Sequence, residues 1–143
     1  NELPLKSARE VGADQTFNIL QTPHALLPFA AGKGTFDVLF EASGNASALR
    51  GAFDSIRPRG VIVQVGLGGD VPLPMNVIVA KEFDLRGAFR FHEEFAIAVE
   101  PLNKRLIDTK PLISDVFSYR DSLKAFETAN DRSKAMKVIV DFG

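Results

Sequence analysis

The chain has no cysteine anywhere in its 143 residues. That one absence removes disulfides, thiolate zinc sites and cysteine nucleophiles together. Excess charge is also lacking. Seventeen basic side chains stand against 18 acidic ones, so nothing marks the surface for nucleic acid or for an anionic membrane. No apolar run reaches the length that spans a bilayer, and the first residues carry no signal-peptide pattern. Internal repeats, low-complexity tracts and linkers are missing too. What remains is one domain by the length prior, soluble and cytoplasmic by default, with 45% hydrophobic residues to build a core. A start methionine is absent as well. The chain opens on a helical stretch, "NELPLKSAREVGAD", where small α/β domains usually open on a buried strand. This reads as a chain whose beginning is missing.

Hydrophobic spacing predicts alternating helices and strands. Leu5, Ala8 and Val11 recur at helical spacing, and Gly12 is placed to close that helix in a left-handed conformation. "TFNI" (residues 16–19) reads as a short strand. Thr22 as N-cap and Pro23 at the first position open a helix that Pro28 shortens or breaks. "TFDVLFEASGN" is a strand through Phe36, Val38, Leu39 and Phe40 that turns at Gly44. Asn45 caps the next helix, whose apolar face is Leu49, Ala52, Phe53 and Ile56, and "RPRG" stops it before a strand over residues 60–65. "MNVIVAKEF" then fits a helix and "FDLRGAFRF" a strand. A long helix follows, with Phe95, Val99, Leu102 and Leu106 on one face. Pro101 sits in its middle, where a proline costs roughly 3 kcal/mol unless the helix kinks. "ISDVFS", "RDSLKAFETAN" and "MKVIVDF" complete the series as strand, helix and strand. The class is α/β, a parallel sheet covered by helices.

Three strand ends carry the candidate chemistry. Val61, Ile62, Val63 and Val65 run into Gly66, Gly68 and Gly69, a strand-to-glycine junction of the kind that cradles phosphates. Yet Asp70, Val71, Pro72, Leu73 and Pro74 follow, and no helix can begin there. A pyrophosphate cradle is therefore excluded, while a flat ring lying against bare backbone is not. One strand earlier, Glu41, Ser43 and Gly44 end a strand before the helix capped by Asn45, an ordinary strand-to-helix turn when taken alone. Two such turns on neighbouring strands raise the expectation of a shared crevice. In "GAFRF", alternation sets Arg90 opposite Phe89 and Phe91. From the residues alone it is an edge charge against aggregation or a fixed fork for oxygen-rich ligands. His24 and His92 lack partners at metal-ligand spacing, and Glu93 and Glu94 read as favourable charge in a helix's first turn. No nucleophile–base arrangement stands out.

Taken in order, "FDVLFEASG", "ALRGAFDSIRPRGVIVQVGLGG", "FDLRGAFRF", "KPLISDVFSYRDSLKAFE" and "KVIV" resemble the C-terminal part of zinc-dependent medium-chain dehydrogenases. "GAFRF" resembles their sorbitol dehydrogenase branch, and "FRFHEEFAIAV" is most similar to L-idonate 5-dehydrogenases. The resemblance covers essentially the whole chain. It implies a partial Rossmann-type parallel sheet with helices on both faces, lacking its first βα unit. Residues 1–143 would form an incomplete dinucleotide-binding domain whose phosphate loop lies upstream of Asn1.

The resemblance also implies roles. Val65, Gly66 and Leu67 match the turn against the nicotinamide, and Ala88 and Phe89 the strand end that contacts its carboxamide. Ser43, Gly44 and Asn45 match the turn beside the adenosine half. Lys137 matches a basic residue that reaches the pyrophosphate in some relatives, and Arg90 an arginine that helps hold substrate hydroxyls. The cofactor would be NAD or NADP. Zinc would be bound by a catalytic domain outside this chain, so the chain by itself is not expected to catalyse or to bind nicotinamide tightly. The expected substrate is a polyol or aldonate. Rival readings are a zinc-independent quinone reductase of the same superfamily and a non-catalytic oligomerisation or binding module. A homodimer, or a tetramer of such dimers, is expected to pair through residues 85–90, because that strand is too apolar for a bare edge.

Overall fold

The computed structural model describes residues 1–143. In chain order the elements are α1 (Glu2–Glu10), β1 (Phe36–Glu41), α2 (Ala46–Ala52), β2 (Ile56–Gln64), α3 (Met75–Lys81), β3 (Asp84–Gly87), α4 (Glu94–Asn103), β4 (Ile113–Ser118), α5 (Ser122–Asn130) and β5 (Lys137–Asp141). They form two compact units, one of residues 23–91 and one of residues 1–22 with 92–143. The class is α/β, and every strand pairing is parallel.

In the unit of residues 23–91 the sheet order is β1-β2-β3. The β-branched run of β2 occupies the centre, and Ile62 is fully buried there. Asn45 caps α2 as its sequence implies: its side-chain oxygen accepts from the Ser47 and Ala48 N–H groups at 2.9 and 3.2 Å. The expected apolar face is buried at all four positions, Leu49, Ala52, Phe53 and Ile56. The helical backbone, however, stops at Ser55 after a short 3-10 turn, and Ile56 already belongs to β2. "RPRG" therefore lies inside the strand rather than before it. Phe36 pairs with Ile56 and Val38 with Val61, so β2 spends extra residues here, with Arg59 at φ 61°.

Leu49, Phe53 and Ile62 form the core, with Leu39, Val77 and Phe83 packed around them. The Phe53 and Phe83 rings meet edge to face at 5.7 Å. The segment after the glycines, which cannot be helical, lays Val71 and Leu73 against the same core before α3 begins. Lys81, at the end of α3, donates to the carbonyls of Phe53 and Asp54 at 3.0 Å and of Ile56 at 2.8 Å. It satisfies the orphan acceptors where the helical turn hands over to β2.

Two expectations fail in this unit. The helix from Thr22 does not form: turns occupy residues 23–26 and a 3-10 segment, Leu27–Lys33, is broken at Ala31 and Gly32. Thr22 turns backward instead, its hydroxyl donating to the Asn18 carbonyl at 3.0 Å. The strand expected over "FDLRGAFRF" keeps only Asp84–Gly87. Ala88 adds one bond, its N–H to the Gln64 carbonyl at 3.0 Å. Arg90 then adopts φ 60°, so the alternation that set it opposite Phe89 and Phe91 does not hold. All four β3 residues are exposed, and the strand has a neighbour on one side only.

In the other unit, β4 and β5 form a separate two-stranded sheet. Ala125 of α5, Ala135 and Ser7 of α1 are buried. Gly12 takes φ 99° just past α1, as expected, but the helix ends at Glu10 and leaves Val11 exposed. "TFNI" forms no strand, because Asn18 gathers it into a turn: its carbonyl accepts from Gln21 and Thr22, and its side chain from Leu20. Pro101 lies in the last turn of α4 rather than in its middle, since the helix ends at Asn103 and leaves Leu106 outside it. No helix is long and apolar enough to cross a membrane.

Candidate functional site

Because β1, β2 and β3 run parallel, their carboxyl ends open on one edge of the sheet. A crevice of about 520 Å³ lies there, lined by Glu41, Gly44, Asn45, Gln64, the 66–69 turn and Arg86–Gly87, among others. Each strand end predicted from sequence contributes to it. Ser43, Val65, Ala88 and Phe89 flank these lining positions in the chain, whereas Lys137 starts β5 in the other unit and lines a hollow beside Met136 and Ile139.

The turns after β1 and β2 press backbone against backbone. A Cβ built on Gly66 would lie 2.1 Å from the Gly44 nitrogen, and one on Gly68 would lie 2.3 Å from the Gly44 carbonyl oxygen. Gly44 itself has φ +68°, and its Cβ would sit 2.6 Å from the Leu67 carbonyl oxygen. What approaches those glycines is the neighbouring turn. The positions that leave bare backbone for a flat ring are Gly69 and Gly87, where an added Cβ would meet nothing within 4 Å. Both line the crevice, and in this respect the site fits a nicotinamide or adenine ring.

Glu41 is the buried charge of the site, 5% exposed. Its carboxylate accepts from the Ser43 N–H at 2.8 Å, the Gly44 N–H at 3.0 Å, the Ser43 hydroxyl and the Gln64 side-chain amide at 2.6 Å. Burial works to raise its pKa, but those four donors together outweigh it and hold the carboxyl below its ordinary value. The same Gln64 nitrogen donates to the Gly66 carbonyl at 2.7 Å. Two acceptors on one side fix the orientation of that amide, and its oxygen is left buried without a donor. The Glu41 carbonyl meanwhile accepts from the N–H groups of Val65 and Gly66, both at 2.8 Å. Neither Glu41 nor Gln64 stood out in the sequence as more than a strand end. The available signal was an acidic residue just before small turn residues whose N–H groups could fold back onto it.

Arg90 stands just past β3, its guanidinium 5.0 Å from the centre of the Phe89 ring. Arg86 is held by Asp84 at 2.5 and 2.9 Å, which keeps Asp84 below its usual value through that hydrogen bond. Glu94 accepts from the His92 N–H at 2.9 Å, a helix-start contact as its position implied. No three His, Asp or Glu side chains gather as a metal site in this chain.

Comparison with known proteins adds to this geometry. Residues 1–104 match the model of the zinc-binding dehydrogenase family. L-idonate 5-dehydrogenase of Escherichia coli K-12 is 39% identical over 139 residues, 96% of this chain and 40% of that protein. Its crystal structure superimposes with a TM-score of 0.86 at 36% identity, over 99% of this chain and 41% of that one. Sorbitol dehydrogenase of Bacillus subtilis is 32% identical over 96% of this chain and 40% of its own length. An Escherichia coli CFT073 alcohol dehydrogenase, described as short-chain and solved with NADH, superimposes at 25% identity with a TM-score of 0.86, over 99% of this chain and 42% of that one. The chain thus spans about 40% of the length of the curated relatives it matches.

Proposed function

The chain belongs to the zinc-binding dehydrogenase family, and from that we propose that its crevice is the cofactor groove of an NAD- or NADP-dependent oxidoreductase acting on a secondary alcohol of a polyol or aldonate. One observation carries the reading: three parallel strands end together, in glycine-bearing turns, around a single crevice. The relatives named for L-idonate and sorbitol, and the one solved with NADH, support the chemistry. The cofactor, when bound, accepts hydride from the alcohol carbon. Ser43, Gly44 and Asn45 border its adenosine half. Val65, Gly66 and Leu67, with Ala88 and Phe89, border the nicotinamide. Arg90 stands just past β3 with its guanidinium over the Phe89 ring, and that planar fork of donors supports a role in holding substrate hydroxyls. We place the protein in the cytoplasm, the default reading of its composition.

The test is kinetic and uses the native gene product. Arg90→Ala should raise KM for a polyol or aldonate by about ten- to hundredfold while leaving KM for NAD little changed, the effect of losing a charged donor. Equal substrate kinetics would return Arg90 to an edge charge. A native protein that does not enhance nicotinamide fluorescence on titration with NADH would instead be a binding module.

We further propose a dimer, or a tetramer of such dimers, through residues 85–90. The free edge of β3 supports it. Ala88 directs its N–H inward to Gln64, so by the alternation of a parallel ladder Gly87 directs its own outward. Gly87→Pro should therefore remove a donor at the two-fold contact without touching the bonds to β2, and light scattering should show the oligomer split. An intact oligomer would overturn this interface.

A further inference from the structure

We infer that Glu41 is the positioning residue of the cofactor groove, clasping the turns after β1 and β2 into one rigid wall. The inference rests on the cofactor reading above. The two turns touch through backbone alone at Gly44, Gly66 and Gly68, so no interlocking side chain sets their spacing. Hydrogen bonds must do so, and they converge on one residue. The Glu41 carboxylate takes the Ser43 and Gly44 N–H groups from the first turn. Its Oε2, the oxygen that holds the Gly44 N–H, also takes the Gln64 amide, which passes the connection to the Gly66 carbonyl of the second. The Glu41 main-chain carbonyl holds Val65 and Gly66 directly. Every partner of the carboxylate is a donor, so only an acceptor with two oxygens completes the set. Charge-assisted bonds in a buried position make the clasp stiff. Glu41 itself need not touch the ligand; it sets the distance between the turns that border the two halves of the cofactor.

Glu41→Gln keeps the size of the side chain but turns one acceptor into a donor facing other donors. In the native gene product this should raise Kd for NADH about tenfold or more and speed amide exchange at Ser43 and Gly44 by a similar factor, with the β4–β5 ladder still protected. Gln64→Leu, which cuts the side-chain link to the second turn and leaves the main-chain bonds to Val65 and Gly66 in place, should raise Kd for NADH while Ser43 and Gly44 remain protected. Two results would overturn the inference: Kd for NADH unchanged in both variants although wild type binds, or Ser43 and Gly44 amides exchanging at the wild-type rate in Glu41→Gln. Failure of the wild-type protein itself to bind NADH is a different result, and it removes the cofactor reading together with this one.

Discussion

Gly66→Ala is expected to destabilise the protein by about 3 kcal/mol or more and to lower its melting temperature by roughly 10 °C. The cause is steric. The new methyl group would sit 2.1 Å from the Gly44 nitrogen and 2.6 Å from a Glu41 carboxylate oxygen. Overpacking is usually relieved by rotating a side chain, but here the obstacle is main chain held by a buried carboxylate. Gly69→Ala supplies the internal control three residues away. Its methyl group would meet nothing within 4 Å, so its melting point should stay near that of wild type. Calorimetric scans of the two variants decide the matter. If both melt alike, the two turns are not in backbone contact, and the account of the glycines given above is wrong.

The second large effect belongs to the core. Phe53→Ala should cost about 3–5 kcal/mol, a sizeable part of the roughly 5–15 kcal/mol that holds a typical domain folded. Phe53 is 2% exposed and fills the space between α2 and the sheet, with the Phe83 ring against its edge. The main-chain bond from Lys81 to the Phe53 carbonyl survives the substitution, so the loss reports on the ring alone. Urea unfolding monitored by circular dichroism measures it. A shift below about 1 kcal/mol with an unchanged slope would mean that the cavity collapses, and that Phe53 is not central to the core.

The elements legible in the sequence are those whose causes are local. Asn45 stops one conformation and starts another within three residues, and the burial of Leu49, Ala52 and Phe53 follows from helical spacing. The crevice at the carboxyl ends of the strands followed from alternation of elements and from where the glycines fall. What escaped has non-local causes. The extra residues of β2 at Arg57–Gly60 arise from its register against β1, which no window of residues reveals. β3 is cut short after Gly87 where the backbone turns at Arg90, although Phe89 and Phe91 continue the strand pattern. Glu41 looks like any exposed strand-end acid until Gln64, 23 residues later, is brought beside it. Gly66 and Gly68 looked like an opening for a ligand, because sequence marks where a side chain is missing but not what fills the gap.

Lys81 gives the chain an order of assembly. Its ammonium closes the three carbonyls of Phe53, Asp54 and Ile56 from a position 25 to 28 residues further along. During synthesis those carbonyls emerge first and wait for their partner. At about 5–20 residues per second the interval is roughly 1 to 6 seconds. Until Lys81 arrives, the junction between α2 and β2 is closed by water alone, and β2 has neither α3 nor β3 beside it. The β-branched run of β2 thus keeps one flank open until β3, which begins three residues after Lys81, is made; Lys81 closes the junction at the base of the strand before that pairing forms.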